Sequence, residues 1–183
     1  MKKKHIFLTG KIQVGKSTLI RSILFELEKD LGFRLEYDGF LTYFDHRESE
    51  TRNLMMVRHT SDKDSEEIQR VMLHVECGRP QMEMLAYETG GIEILEKLDI
   101  KKMLIFDECG KFERNSQKFI EKINQILDAD SHVIGVLRKD DSIEWLKKIA
   151  HREDVSVIEV TEENRNELKD AVKCRLLEML GER

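Results

Sequence analysis

The chain has 183 residues, which suits a single domain that buries a core of its own, and we expect one domain over residues 1–183. Its net charge of −5 argues against nonspecific binding to nucleic acid, because that affinity depends on a basic surface. The basic start Lys2–Lys4 precedes only three apolar residues, and no apolar run approaches the roughly 20 residues that cross a bilayer, so a soluble cytoplasmic protein with no membrane partner is expected.

The first predicted elements are a strand, a turn and a helix. Ile6–Leu8 is a short apolar strand that leads into a glycine-containing turn. Apolar residues then recur at helical spacing over Leu19–Leu31, and Gly32 is a typical helix end. The next two segments, Arg34–Phe44 and Arg52–His59, have strand-like composition and predict an antiparallel hairpin.

The middle of the chain is less regular. The segment Thr60–Pro80 fits helical spacing and strand composition equally well, so its structure stays open. A helix is predicted around Ile92–Leu98, interrupted upstream by Gly90 and Gly91. The continuous apolar run Met103–Phe106 that follows is typical of a buried parallel strand.

The last third of the chain alternates helices with strands. The predicted elements are a helix over Phe119–Leu127, a strand His132–Leu137, a helix that begins at Asp141 with Glu144 as its capping-box partner, a strand Val155–Val160, and a closing helix through Leu168 that Thr161 caps and Gly181 ends. This alternation predicts an α/β fold with a mostly parallel sheet, helices on both faces and one inserted antiparallel hairpin.

The turn after the first strand carries the clearest functional motif. The string GKIQVGKST matches the pattern GxxxxGK[ST], the Walker A motif, and lies between a strand and a helix, where a phosphate-binding loop belongs. Gly10 and Gly15 let the backbone come close to phosphates, while the following amides point at them. Lys16 is placed to reach the β- and γ-phosphates, and Ser17 to bind Mg²⁺. The predicted binding residues are Gly10, Lys11, Ile12, Gln13, Val14, Gly15, Lys16, Ser17 and Thr18.

A second motif, LIFDECGKFE, places two carboxylates at the end of a buried strand. The carboxyl ends of parallel strands form the edge where α/β sheets bind ligands. Asp107 is therefore predicted to help hold Mg²⁺, and Glu108 to activate water for attack on the γ-phosphate of ATP, GTP or another nucleoside triphosphate. The alternative is that the acidic pair only caps the next helix.

Two GTPase-like patterns accompany these motifs. Asp107–Gly110 spells DxxG, and Lys139–Asp141 spells KxD, but Arg138 stands where a guanine-reading motif has Asn or Thr. Arg138 and Lys139 follow a predicted strand, so either could place positive charge on the phosphates as an arginine finger does. We count Arg138 with Lys16 and Glu108 as the predicted catalytic residues, with solvent exposure as the alternative for these two cations.

With these motifs in view, the chain resembles the nucleoside-triphosphatase family first known from thermophiles and shared with the human cancer-related nucleoside triphosphatase. The similar strings are FLTG, VGKSTLI, GFLT, FDECGKFE in place of a DEIGKME-like signature, and VSVIEVTEENRNEL. The resemblance implies a compact P-loop domain that slowly hydrolyses several nucleoside triphosphates to diphosphate and phosphate with magnesium. The loop lacks the usual Pro-Gly, Cys109 replaces Ile, Phe112 replaces Met, and Thr60–Tyr87 matches poorly.

Other functions remain open on the same fold. A nucleotide or small-molecule kinase would need an acceptor pocket, for which the region around His46 and Arg47 and the cation Arg138 are the candidates. A nucleotide-gated switch would use slow hydrolysis to time an interaction with a partner protein. Release of phosphate without any acceptor would separate a hydrolase from a kinase.

Overall fold

The computed structural model describes residues 3–45, 50–82 and 85–181, with the backbone alone for Met82. Its elements are β1 His5–Thr9, α1 Lys16–Leu31, β2 Tyr37–Phe44, β3 Thr51–Arg58, β4 Gln69–Glu76, β5 Arg79–Met82, a π-helical turn Tyr87–Gly91, α2 Ile92–Glu96, β6 Met103–Cys109, a 3₁₀ turn Phe112–Asn115, α3 Gln117–Asp128, β7 His132–Leu137, α4 Glu144–Ala150, β8 Val155–Glu159 and α5 Arg165–Leu180. Within the described ranges, every helix is too short or too polar to cross a lipid bilayer.

One mixed sheet organises these elements, in the order β5-β4-β3-β2-β6-β7-β1-β8 over the described residues. Five neighbouring strands run parallel to one another, in the order β2, β6, β7, β1 and β8. The strands β2 to β5 pair antiparallel. Because β1 and β6 run in the same direction, with β7 between them, the loops after both strands meet at one edge of the sheet.

Helices cover both faces of the parallel part. Strand residues alternate between the faces, so Phe7 packs in one core while Ile6 and Leu8 pack in the other. The first core includes Phe119 and Ile123 of α3 and Trp145 and Ile149 of α4. The second core includes Leu19, Ile20, Ile23, Leu24 and Leu27 of α1 and Val172 and Leu176 of α5. The predicted fold class is therefore confirmed.

The antiparallel part is larger than the predicted hairpin. The hairpin itself is confirmed, since β2 pairs with β3 from Phe40–Arg58 to Phe44–Leu54. The segment that stayed open supplies β4 and β5, which extend the sheet by two strands. The isolated segment fits helix and strand alike, and pairing with β3 decides in favour of the strand.

Three predicted details of the helices are wrong. The glycines Gly90 and Gly91 do not interrupt the helix, because the π-helical turn runs through both of them into α2. A Cβ on Gly91 would lie 2.8 Å from Phe119 Cδ2, so the glycine is needed for close packing. Helix α4 begins at Glu144 rather than at Asp141, without a side-chain cap. The cap position of α5 is Asn164 rather than Thr161.

Candidate active site

The loop between β1 and α1 has a backbone that requires glycine at two positions. Gly10 has φ +134°, and a Cβ there would lie 2.3 Å from the carbonyl oxygen of Val160. Gly15 has φ +102° and directly precedes the first residue of α1. Side chains are strained in this region of φ, so only glycine follows this path without a penalty. The loop thereby brings the amino end of a 16-residue helix to the edge of the sheet.

Lys16 lies across this loop. Its side chain is buried, and its Nζ donates hydrogen bonds to the carbonyl oxygens of Gly10 at 3.1 Å and Lys11 at 2.8 Å. Burial lowers the pKa of the ammonium, while the nearby carboxylates of Glu108 and Asp107 raise it. The ammonium of Lys16 is therefore held over the Gly10–Thr18 loop, close to the two carboxylates of β6.

A hydrogen bond joins the loop to the acidic strand. The hydroxyl of Ser17 donates to Oδ1 of Asp107 at 2.9 Å. Burial raises the pKa of Asp107, whereas the bond from Ser17 and the charges of Arg21 and Lys16 lower it. A hydroxyl and a carboxylate oxygen at this distance form the hard-oxygen donor set that Mg²⁺ prefers. The residues present therefore fit Mg²⁺, and Ser17 and Asp107 are the ones that would hold it.

The end of β6 contains an irregularity that presents its carboxylates. Phe106 pairs with Gly135 and Cys109 with Leu137, so β6 has one residue more than β7 over this stretch. The extra residue falls at Asp107 and Glu108. Bulges of this kind re-aim side chains beside binding sites. Asp107 consequently accepts the hydrogen bond from Ser17, and the positive charges of Lys16 and Arg138 both lower the pKa of Glu108.

Glu108 is a partly buried carboxylate that lies beside Arg138. Burial raises its pKa, the charges of Lys16 and Arg138 lower it, and Asp107 raises it. Its Oε1 lies 4.0 Å from Nη1 of Arg138. A carboxylate that is partly desolvated accepts a proton more readily than one in water. The environment therefore suits a general base.

Of the two cations after β7, only Arg138 faces this site. Its backbone N–H donates to the carbonyl oxygen of Cys109 at 3.0 Å, which holds it beside the end of β6. Lys139 is exposed and forms an ion pair with Glu159, with Nζ 2.7 Å from Oε1. The structure thus places the side chain of Arg138 beside Glu108 and that of Lys139 beside Glu159.

Sequence reasoning missed Thr42 as a possible site residue, although GFLT was noted as a family string. The hydroxyl of this β2 residue accepts a hydrogen bond from the N–H of Glu108 at 3.1 Å and donates to the carbonyl oxygen of Asp107 at 3.3 Å. One hydroxyl therefore fastens the peptide between the two carboxylates. Only the parallel pairing of β2 with β6, in which Leu41 is opposite Asp107, reveals the contact.

Arg165 is a second residue that the motifs did not reveal. It begins α5, and its Nη1 donates to the carbonyl oxygen of Val14 at 3.5 Å. The other residues named for an acceptor pocket, His46 and Arg47, lie outside the described residues.

Comparison with known proteins places the chain among similar sequences and structures. A family model described as NTPase matches residues 5–173. The chain is 32% identical over 181 residues to the nucleoside-triphosphatase THEP1 of Thermotoga maritima, covering 97% of this chain and 98% of that protein. It is 31% identical over 187 residues to the human cancer-related nucleoside-triphosphatase, covering 93% and 96%. The crystal structure of THEP1 from Aquifex aeolicus superimposes with a TM-score of 0.67 at 25% identity, covering 92% and 96%.

Proposed function

Because this chain belongs to the nucleoside-triphosphatase family, we propose that it hydrolyses nucleoside triphosphates with Mg²⁺ and with broad base tolerance, at the site formed by Gly10–Thr18 and the end of β6. The chain is a hydrolase of that class, and its substrate is a nucleoside triphosphate. The products are the diphosphate and inorganic phosphate. The observation that carries the assignment of the site is the hydrogen bond of Ser17 to Asp107, at 2.9 Å, which joins the loop to the acidic strand.

Binding begins at the loop. The amides of Gln13 to Thr18 and the positive end of α1 meet the phosphate oxygens, and the ammonium of Lys16 exchanges its loop carbonyls for them. Ser17 and Asp107 would hold Mg²⁺, which would supply positive charge against the β- and γ-phosphates. The phosphates are thereby held with the γ end near Glu108.

Hydrolysis then requires a proton acceptor and a cation. Glu108 accepts a proton from water as the water oxygen bonds to the γ-phosphorus, and the bond from that phosphorus to the bridging oxygen breaks. The leaving diphosphate keeps the electron pair of the broken bond. Arg138, beside Glu108, stabilises the negative charge on the transferring phosphoryl group.

Broad base tolerance is supported by the pairing of Lys139. In the GTPase-like interpretation the KxD pattern Lys139–Asp141 reads guanine, but here the lysine of that pattern forms an ion pair with Glu159. A site in which this lysine is not available to guanine is expected to show little selectivity among bases. Cytoplasmic location, the lack of a nucleic-acid partner and a single domain over residues 1–183 remain predictions from the sequence.

The function is tested by measuring phosphate release from ATP, GTP, CTP and UTP, with Mg²⁺ and with excess EDTA. We expect turnover of all four with magnesium, similar kcat/KM values, and loss of turnover in EDTA. Turnover that needs an added hydroxyl acceptor would favour a kinase. Turnover that is seen only with a protein partner would favour a nucleotide-gated switch.

Arg138→Ala is expected to lower kcat by about 100-fold, the usual scale for a lost transition-state charge contact, with nucleotide affinity changed less than about threefold. The reason is that charge on the phosphoryl group grows only as the reaction proceeds. Lys139→Ala is the matched control, since that ammonium pairs with Glu159. Single-turnover kinetics and nucleotide titration separate the two quantities. Wild-type kcat in Arg138→Ala would assign this guanidinium to the solvated surface.

Thr42→Val is expected to lower kcat by about tenfold while KM changes little, because the isosteric side chain cannot hydrogen-bond the peptide that positions Glu108. Thr42→Ser keeps the hydroxyl and should recover most of the rate. Steady-state kinetics on both variants, with thermal unfolding as a check of the fold, test this role. A Ser variant as slow as the Val variant would argue that Thr42 acts through packing alone.

A further inference from the structure

Residues 160–165, which are the loop between β8 and α5 and the first residue of α5, form one wall of the phosphate-binding loop. The carbonyl oxygen of Val160 lies so close to Gly10 that no side chain fits between them. The N–H of Val160 donates to the carbonyl oxygen of Thr9 at 2.8 Å. At the other end of the wall, Arg165 Nη1 lies 3.7 Å from the point where a Cβ on Gly15 would stand. The wall thus borders the cradle along its length.

Hydrogen bonds within the wall give it a defined shape. The N–H of Thr161 donates to Oδ1 of Asn164 at 2.8 Å, and the N–H of Asn164 donates to the hydroxyl of Thr161 at 3.2 Å. The amide Nδ2 of Asn164 also donates to the carbonyl oxygen of Glu159 at 3.0 Å. Arg165 therefore extends from an ordered turn.

The strand order places this wall on the flank opposite the catalytic carboxylates. In the sequence β6-β7-β1-β8, the strand with Asp107 and Glu108 lies two positions to one side of β1, and β8 lies next to β1 on the other side. A triphosphate whose γ end approaches Glu108 therefore extends its α end towards β8. The nucleoside follows the α-phosphate and emerges beside the wall.

Arg165 is available to a ligand at that point. The residue is exposed, and it forms no ion pair within the part of the chain that the structure describes. Its hydrogen bond there is the 3.5 Å contact with Val14. A guanidinium plane stacks on purines and pyrimidines alike, because every base presents a π-face. Such a contact holds the base without reading its edges.

We propose that Arg165 forms a nucleoside subsite in which its guanidinium stacks on the base of the bound nucleotide. The subsite rests on the proposed function, because it takes the triphosphate to occupy the loop with its γ end at Glu108. It explains how one site holds different bases with similar affinity. Stacking provides affinity while selectivity stays low.

The test compares nucleotides with an anion that has no nucleoside. Arg165→Ala should lower kcat/KM for ATP, GTP, CTP and UTP by a similar factor of about tenfold, the scale of one base stack. Inhibition by magnesium tripolyphosphate should be unchanged. Arg165→Lys should behave like the Ala variant, since an ammonium has no plane to stack. The matched control is Arg34→Ala. Arg34 is exposed and precedes the amino end of β2, whereas the site lies at the carboxyl ends of the parallel strands.

Several outcomes would overturn the subsite. If Arg165→Ala weakened inhibition by tripolyphosphate as much as it lowered kcat/KM for the nucleotides, Arg165 would contact the phosphates. A wild-type kcat/KM in Arg165→Lys would lead to the same conclusion. Ribose 5-triphosphate, which lacks a base, separates the base from the ribose. If Arg165→Ala weakens the binding of this compound as much as the binding of ATP, Arg165 contacts the ribose. Unchanged kinetics with all four nucleotides would leave Arg165 without a role in binding.

Failure of the proposed function looks different from failure of the subsite. If wild-type protein released no phosphate from any triphosphate, the hydrolase assignment would fail while the subsite could still be measured. Titration of the protein with a fluorescent ATP analogue, and displacement by tripolyphosphate, gives the same comparison through binding alone. A subsite that is correct gives about tenfold weaker analogue binding in Arg165→Ala and unchanged tripolyphosphate binding.

Discussion

Lys16→Ala is expected to weaken binding of nucleoside triphosphates by about 100-fold or more and to abolish measurable turnover at substrate levels that saturate the wild type. Removing one partner of a desolvated charge pair costs about 2–5 kcal/mol, and each 1.4 kcal/mol is a factor of ten. The Lys16 side chain is buried and lies over the loop. Within the described residues, Arg138, the other predicted catalytic cation, does not hydrogen-bond to the carbonyl oxygens of Gly10 and Lys11.

The measurement is calorimetric titration with a non-hydrolysable triphosphate, together with circular dichroism to show that the variant folds. Lys29→Ala is a matched control, because Lys29 is an exposed lysine in the last turn of the same helix. The control should bind as the wild type does. Wild-type affinity in Lys16→Ala would remove the phosphate-binding role from the Gly10–Thr18 loop.

Glu108→Gln is expected to lower kcat by about 100-fold or more, the usual scale for a positioned general base, while affinity for the triphosphate changes little. The substitution keeps the shape and the hydrogen-bonding reach of the side chain but removes the proton acceptor. The loss should appear in single-turnover experiments, because the missing function is in the chemical step. Lys16→Ala and Glu108→Gln therefore separate binding from catalysis at one site.

Glu153→Gln is the matched control, since Glu153 is exposed and precedes β8, at the far end of that strand from the site. It should hydrolyse at the wild-type rate. If Glu108→Gln also hydrolyses at that rate, the carboxylate belongs to the cap of the following 3₁₀ turn, and the proton acceptor must be sought elsewhere.

Most of the proposed site could be predicted because its parts are local in sequence. The loop motif needs only a strand before it and a helix after it, and both are visible in the apolar pattern around Gly10–Thr18. The carboxylates Asp107 and Glu108 directly follow the continuous apolar run Met103–Phe106. Chain direction in a parallel sheet then brings the two motifs to one edge, which the bond from Ser17 to Asp107 bears out in geometry.

Contacts between distant segments could not be predicted in this way. Thr42 meets Glu108 across 66 positions, and Arg165 meets Val14 across 151. No sequence motif predicts either contact, because the number of residues between two paired elements depends on the lengths of all the intervening helices, strands and loops. The sequence analysis chose Arg138 over Lys139, but it could not predict the direction in which each side chain projects, because adjacent residues share a position along the chain and point different ways.

Sequence by itself determined the periodic elements, the α/β class and the two motifs, because each depends on neighbours within about one element's length. Only the tertiary structure decided that residues 69–76 and 79–82 form strands, that helix runs through Gly90 and Gly91, and that α4 begins at Glu144. In each of these places local preference is weak or divided. The free energy of packing against a partner strand or against Phe119 then outweighs it.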